Sequence, residues 1–214
     1  MQSSNMEKGK FNPILPIILV AGVSFWLLTT LRGPTAASSR FTWEFPHSYF
    51  FHDDDEQRAR HDVMLGKPMP PLELADWKGG EIDTKNLKGK VVVLDFWATW
   101  CGPCIQAFPH NNELSEKYQN QGVQFIGICT ANGQENFASV LEKVSPKYPN
   151  ARDANLSDEK SFQVMWYPTY AVIDRKGNVR AIGLSPDHLE DVLKKLVAEP
   201  APPTTAPAVA INGA

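Results

Sequence analysis

The chain divides by its pattern of apolar and polar positions before any residue chemistry is considered. A first apolar run covers residues 11–31, and no charged residue stands between Asn12 and Arg32. That leaves about 19 residues, close to the ~20 needed to cross a bilayer as a helix. Lys8 and Lys10 precede the run and Arg32 follows it, a weak bias that favours the N-terminus in the cytoplasm and the remainder outside. A transmembrane anchor is expected over 11–32. Its rival is a cleaved signal segment, because Thr35-Ala36-Ala37 resembles a small-residue cleavage site. Both place the rest of the chain on the same side of the membrane, away from the cytoplasm.

Residues 33–64 show no periodicity and read as a connecting segment. It holds the aromatics Phe41, Trp43, Phe45, Tyr49, Phe50 and Phe51 and an acidic run at 53–56. These rings are expected at a membrane interface or packed on the domain that follows. His47, His52 and His61 also lie here. Their spacing matches no ligand pattern, and no metal is expected. The far end, residues 199–214, is rich in Pro, Ala and Thr and is expected to be disordered.

The ordered unit is expected over 65–198. Residues 91–97, VVVLDFW, are continuously apolar and β-branched apart from Asp95, the mark of a strand buried on both faces. The spacing then turns helical over 101–119, with Pro103 in the first turn, where its missing N–H costs nothing, and Pro109 inside as a kink. A second buried strand follows over 123–129, then a helix over 135–144 and a short helical turn over 160–165. Two strands, 170–174 and 178–182, are joined by Arg175-Lys176-Gly177, which makes them an antiparallel hairpin. A last helix spans 187–198. Ahead of all this, Leu72-Glu73-Leu74 and the turn Lys78-Gly79-Gly80-Glu81 predict a small added hairpin. The order predicts an α/β class: a three-layer α/β/α sandwich with an N-terminal β-hairpin extension.

Composition narrows the function. A net charge of −3 excludes a nucleic-acid binder that works by bulk positive charge. Three Cys are too few for a disulfide-stapled scaffold. Two of them form Cys101-Gly102-Pro103-Cys104, between a buried strand and a helix. One helical turn brings two such Cβ atoms within disulfide reach. The first Cys lies at the helix N-terminus, where free N–H groups and the dipole favour a thiolate, so Cys101 is expected as the exposed nucleophile and Cys104 as the resolving thiol. The alternatives are half of a zinc site, which Cys129 and His110 would have to complete, and a structural disulfide, whose loop is too small to stabilise much. Cys129 itself reads as a small buried hydrophobe at a strand end.

The stretch from Val93 to Pro109, with its core Asp-Phe-Trp-Ala-x-Trp-Cys-Gly-Pro-Cys, resembles the thioredoxin superfamily. The β extension, the apolar N-terminus and Met165-Trp166-Tyr167-Pro168-Thr169 make it similar to the membrane-anchored TlpA/ResA-like branch. The resemblance implies a thiol–disulfide oxidoreductase that needs no cofactor. It implies that Pro168 is a cis-proline facing the Cys pair and, with Tyr167 and Thr169, shapes a groove for an extended substrate. Trp100, Gly102 and Pro103 would flank the same groove. It also implies that Asp95 is the buried acid that takes and returns the Cys104 proton, with a raised pKa suited to that work. There are departures. TlpA/ResA-like proteins often lack this acid, and the Lys that thioredoxins commonly pair with it has no counterpart in strand 123–129.

The resemblance suggests the reducing direction, from the Gly-Pro dipeptide, with protein disulfides such as those of apocytochrome c as substrates and a membrane electron donor. Three other readings stand beside it. A thiol peroxidase would want a Pro in register before Cys101, and the sequence has none. A copper chaperone of the thioredoxin-like type would want a C-x-x-x-C and a distant His, for which His188 is the candidate. A non-catalytic docking domain would make the Cys pair incidental.

Overall fold

The computed structural model describes residues 44–51 and 55–202. The expected anchor over 11–32, His52 and most of the Pro/Ala-rich tail lie outside the described residues. Among the described residues no helix is long and apolar enough to cross a membrane.

Six strands form one mixed sheet in the order β1-β4-β3-β2-β5-β6. The strands are β1 (Ala75–Lys78), β2 (Val91–Trp97), β3 (Val123–Cys129), β4 (Asn150–Arg152), β5 (Thr169–Ile173) and β6 (Val179–Leu184). The helices are α1 (Asp55–Asp62), α2 (Gly102–Tyr118), α3 (Phe137–Val144), α4 (Ser157–Ser161) and α5 (Leu189–Ala198). The expected elements are present, with the antiparallel β5-β6 hairpin last, and one strand that was not expected, β4, extends β2-β3 into a parallel three-stranded core.

The period-2 alternation of β2 sorts its side chains onto two cores. Val91, Val93 and Trp97 face a cluster with Phe108 and Leu114 of α2, Phe137 and Leu141 of α3, and Leu193 and Leu196 of α5. Val92, Leu94 and Phe96 face a cluster with Met64, Leu65, Leu87 and Phe162. The second outer layer is thin. It consists of the five-residue α4 and irregular segments between residues 64 and 87, so the sandwich is lopsided, with α2, α3 and α5 all on the first face.

Two expectations are corrected. The N-terminal extension is not a hairpin: β1 joins the sheet as a single edge strand, antiparallel to β4. The Gly79-Gly80 stretch bends the chain away from the sheet, both glycines having positive φ, and no second strand follows before β2. The expected helical turn at 160–165 lies earlier, at α4, where the Asp153 carboxylate accepts hydrogen bonds from the N–H groups of Ser157 and Glu159.

The described part of the connecting segment packs on the domain. Phe45 is buried in the first core. Phe50 bridges to Leu184, the Phe51 N–H donates to the Gly183 carbonyl, and the Ser185 N–H donates to the Tyr49 carbonyl, so residues 49–51 line the free edge of β6. The Tyr49 ring stacks on His188 at 4.1 Å. Arg180 of β6 fastens this segment. Its guanidinium pairs with Glu44 from one end of the described chain, Glu199 from the other, and Asp174 of the β5-β6 turn. Burial opposes the charge on Glu44, but Arg180 and Lys195 outweigh it and hold the carboxyl below its ordinary value. Because Arg180 is largely buried and answers three carboxylates, Arg180→Met leaves Asp174 and Glu199 without their cation and Glu44 with Lys195 alone. Urea denaturation of that variant is expected to show a loss of about 2–3 kcal/mol, whereas a substitution of the exposed Lys143 stays within about 0.5 kcal/mol.

Candidate active site

β2 ends at Trp97, and the chain turns through residues 98–101 into α2. Two contacts fix that turn. The Thr99 hydroxyl donates to the Gly133 carbonyl at 2.8 Å, and the Trp100 indole N–H donates to the Asn132 carbonyl at 3.2 Å. Gly133 sits at φ +78°, and a Cβ there would lie 2.8 Å from Thr99 Oγ1 and 3.0 Å from Trp100 Cδ1, so this close approach requires glycine.

Cys101 is the N-cap of α2, and its Sγ accepts the Cys104 N–H at 3.2 Å. The two Cys are joined as a disulfide with Cα atoms 5.3 Å apart. Cys101 is 5% exposed and Cys104 2%, while Gly102 and Pro103 between them are exposed. The expectation of an exposed Cys101 is corrected: both Cys are buried in this disulfide form, and the open surface beside them belongs to Gly102, Pro103 and Trp100. Beside Pro103 an open hollow of about 400 Å³ is lined by Gln106, Ala107, His110, Pro186 and Asp187.

The second wall of the site is the start of β5. The Tyr167–Pro168 peptide is cis. Thr169 pairs with Phe96, and continuing that antiparallel register sets Pro168 level with Trp97, at the end of the sheet from which the Cys loop departs. Tyr167 meets Trp100 edge-on, ring centroids 5.7 Å apart, and its hydroxyl donates to the Glu159 carboxylate. Trp100 is 61% exposed, a large apolar surface left open beside the disulfide. Thr169 is buried, its hydroxyl donating to the Trp166 carbonyl at 2.6 Å. The structure thus gathers Cys101, Cys104, Trp100, Pro103, Tyr167 and Pro168 at one end of the sheet.

Asp95 lies below them on β2, 2% exposed, on the face covered by α2. Its Oδ2 accepts from the Tyr148 hydroxyl at 2.9 Å and from Asn111 Nδ2 at 3.0 Å. Burial pushes its carboxyl up to about 7, against the pull of those two hydrogen bonds. Asn111 and Tyr148 were not singled out from the sequence. Asn111 had a signal: it falls seven residues after Cys104, a fully buried polar residue in the apolar stripe of α2. Tyr148 sits in irregular chain between Pro146 and Pro149, where no period marks it.

Cys129 is fully buried at the end of β3, and burial pushes its thiol up to about 12. His61 is buried, with Nε2 3.1 Å from the Gln163 carbonyl. His188, which a copper site would need, is the ring stacked on Tyr49. Among the described residues no three His, Cys, Asp or Glu side chains are grouped to hold a metal ion.

A disulfide closed across the first turn of a helix, on a mixed sheet of this order, defines a thiol–disulfide oxidoreductase of the thioredoxin fold. The Redoxin family profile matches residues 64–197, and the chain belongs to that family. It is 33% identical over 150 residues to the thiol-disulfide oxidoreductase ResA of Bacillus cereus, covering 69% of this chain and 83% of that protein. The ResA of Geobacillus thermodenitrificans is 31% identical over 134 residues, covering 63% and 77%. Among solved structures, one from Chlorobium tepidum, described as a thiol:disulfide interchange protein DsbE, superposes with a TM-score of 0.57 at 29% identity. It covers 62% of this chain and 97% of that one.

The pH dependence of stability follows from Asp95. Its folded value, about 7, stands above the ordinary 3.8 of an unfolded chain. Between those values the folded protein holds a proton that the unfolded chain has lost, so stability falls as pH rises from about 4 to about 7 and is level beyond. Asp95→Asn removes that slope. Denaturation at pH 5 and pH 8 is expected to show the variant gaining on the parent by roughly 2–3 kcal/mol across the interval. A difference independent of pH would place the folded value of Asp95 near its ordinary one.

Proposed function

We propose that the protein is a membrane-tethered, extracytoplasmic reductase of protein disulfides. The observation that carries the dithiol chemistry is Cys101 at the N-cap of α2, its sulfur within reach of the Cys104 N–H, beside the exposed Trp100 and the Tyr167–Pro168 wall. The tether and the compartment rest on the apolar run at 11–31 and on the likeness to ResA.

In the reduced protein the Cys101 thiolate is favoured by the helix N-terminus and by the N–H groups of the first turn. It attacks one sulfur of a substrate disulfide. An S–S bond forms between Cys101 and the substrate, and the other substrate sulfur leaves as a thiolate. The Cys104 thiol then gives its proton to the Asp95 carboxylate, and its thiolate attacks Cys101 Sγ. The mixed disulfide breaks, the Cys101–Cys104 disulfide forms, and the second substrate thiolate is released. In sum the Cys pair loses two electrons to the substrate; Cys104 supplies one proton through Asp95, and solvent supplies the second, the one it took when Cys101 ionised. The Asp95 proton returns to solvent or to the leaving thiolate. The chain at Tyr167, just before the cis-proline, and the groove by Trp100 hold an extended peptide segment in this reading. The substrates are protein disulfides, with the Cys pair of an apocytochrome c as the leading candidate, and a membrane dithiol donor re-reduces the enzyme.

Two measurements test it. A redox titration followed by tryptophan fluorescence is expected to give a potential near roughly −270 mV, as for a reductant, and a value near roughly −120 mV would reverse the direction. Against a protein disulfide substrate, Cys101→Ser is expected to lose essentially all activity, whereas Cys104→Ser accumulates a mixed disulfide visible on a non-reducing gel. Undiminished turnover by Cys101→Ser would make the pair incidental.

A further inference from the structure

Among the described residues Asp95 has no cationic partner, and the packing on β3 leaves no room for one at the paired position. The residue paired with it on β3 is Gly127. A Cβ on Gly127 would stand 1.8 Å from Asn150 Oδ1. The Asn150 side chain, anchored by donating to the Tyr148 carbonyl at 2.9 Å, fills the space that a side chain on β3 would need. No Lys or Arg at 127 can therefore reach the carboxyl. The groups that do reach it come from α2 and from the segment before β4, and they are neutral.

Both hydrogen bonds on Asp95 fall on the same oxygen, Oδ2, and Oδ1 has no hydrogen-bond partner among the described residues. Asn111 is held in turn by Tyr170, whose hydroxyl lies 2.9 Å from Nδ2 and 3.3 Å from Oδ1. We propose that Asn111 and Tyr148 are positioning residues for proton transfer: they hold Oδ2 as a permanent acceptor and leave Oδ1 as the atom that takes and returns the proton. The proposal rests on the reading that Asp95 serves Cys104.

The arrangement suits a group that must change charge in a closed core. When Oδ1 is protonated, Oδ2 becomes the carbonyl oxygen of the acid and still accepts both bonds. Ionisation thus requires neither Asn111 nor Tyr148 to turn, and both donors keep their acceptor in either state. Neutral donors also moderate the effect of burial without cancelling it, whereas an adjacent cation would hold the carboxylate charged throughout the working range. The other titratable groups nearby do not compete. Burial, and next the Asp95 charge, push the Tyr148 and Tyr170 phenols well above their ordinary value, so both stay protonated. β3 presents only Gly127 at this level. α2 presents Asn111 and, two turns toward its N-terminus on the same stripe, Cys104. No Lys, Arg or second carboxylate contributes to the environment of Asp95.

The test is the pH titration of the Asp95 carboxyl carbon by NMR, with infrared difference spectra of its C=O stretch, in the intact chain. Tyr148→Phe removes one donor from the ionised form, and the inflection is expected to move up by roughly one pH unit. The C=O stretch of the protonated acid moves to higher frequency in the same variant, because its carbonyl oxygen has lost one donor. The pH profile of disulfide reduction follows the inflection. Asn111→Leu gives the same shifts if it folds, and Tyr170→Phe, whose hydroxyl touches Asn111 and not Asp95, gives a smaller one. An unmoved inflection and stretch in Tyr148→Phe would overturn the proposal. Asp95→Asn separates this from the parent reading. If that variant keeps the parent's pH profile of reduction, Asp95 does not serve Cys104. If it loses the profile while Tyr148→Phe changes nothing, Asp95 serves Cys104 and the positioning role fails.

Discussion

Strand β2 has water on neither face and a neighbour on both edges, and the site depends on that burial. All seven of its residues are buried, with β3 parallel on one side and β5 antiparallel on the other. A strand so enclosed cannot slip, because a shift of one residue would carry Asp95 onto the other apolar face. Its end at Trp97 is therefore a fixed point from which a short turn delivers Cys101 to the first position of α2. The antiparallel pairing with β5 sets Pro168 at the same level, so the two walls of the site are held by one register. The same burial sets the acid. A carboxyl on this strand has no solvent to share its charge, and it titrates where thiol chemistry can use it.

The parts of the fold that were legible in the sequence are those in which one apolar period decides the matter. VVVLDFW, the strand 123–129 and the stripe Cys104, Phe108, Leu114 each have a single face or pair of faces to satisfy. The Cys spacing adds chemistry to a position already fixed by the strand-to-helix change. β4 was illegible because it is three residues long and contains Asn150 and Arg152. What makes it a strand is its pairing with β3 and β1, together with the space over Gly127 that only Asn150 fills. β1 was misread as half of a hairpin because its partner is that distant and inconspicuous strand. The docking of residues 44–51 was open for a different reason: Phe45, Tyr49 and Phe50 suit a bilayer interface as well as a sheet edge. The ion pairs of Glu44 with Arg180 and of Glu199 with Arg180 span separations that no local pattern reports.

The candidate site divides in the same way. The two residues of the disulfide, Cys101 and Cys104, which the proposed mechanism places at the reaction, are marked by sequence spacing. Those that tune it are marked by what surrounds them. Asp95 reads as an acid in a buried strand, but its partners reach it from a helix two turns away and from an irregular segment. The absence of a Lys in β3, which looks from the sequence like a missing part, is instead a consequence of packing, since the place is occupied by Asn150.

Arg180 gives the domain a direction. It lies near the β5-β6 turn, at the end of the sheet opposite the disulfide, and it pairs there with Glu44 and Glu199. Arg175, in the same turn, donates to the carbonyls of Leu196, Val197 and Glu199. Glu44 and Glu199 are thus gathered at one pole by charge-assisted bonds, and the Cys pair stands at the other. The Cys pair faces outward at its own pole, with Gly102 and Pro103 exposed and Trp100 standing clear beside it. The arrangement leaves a partly buried cluster of three carboxylates balanced by Arg180, with Lys195 adding its charge at Glu44.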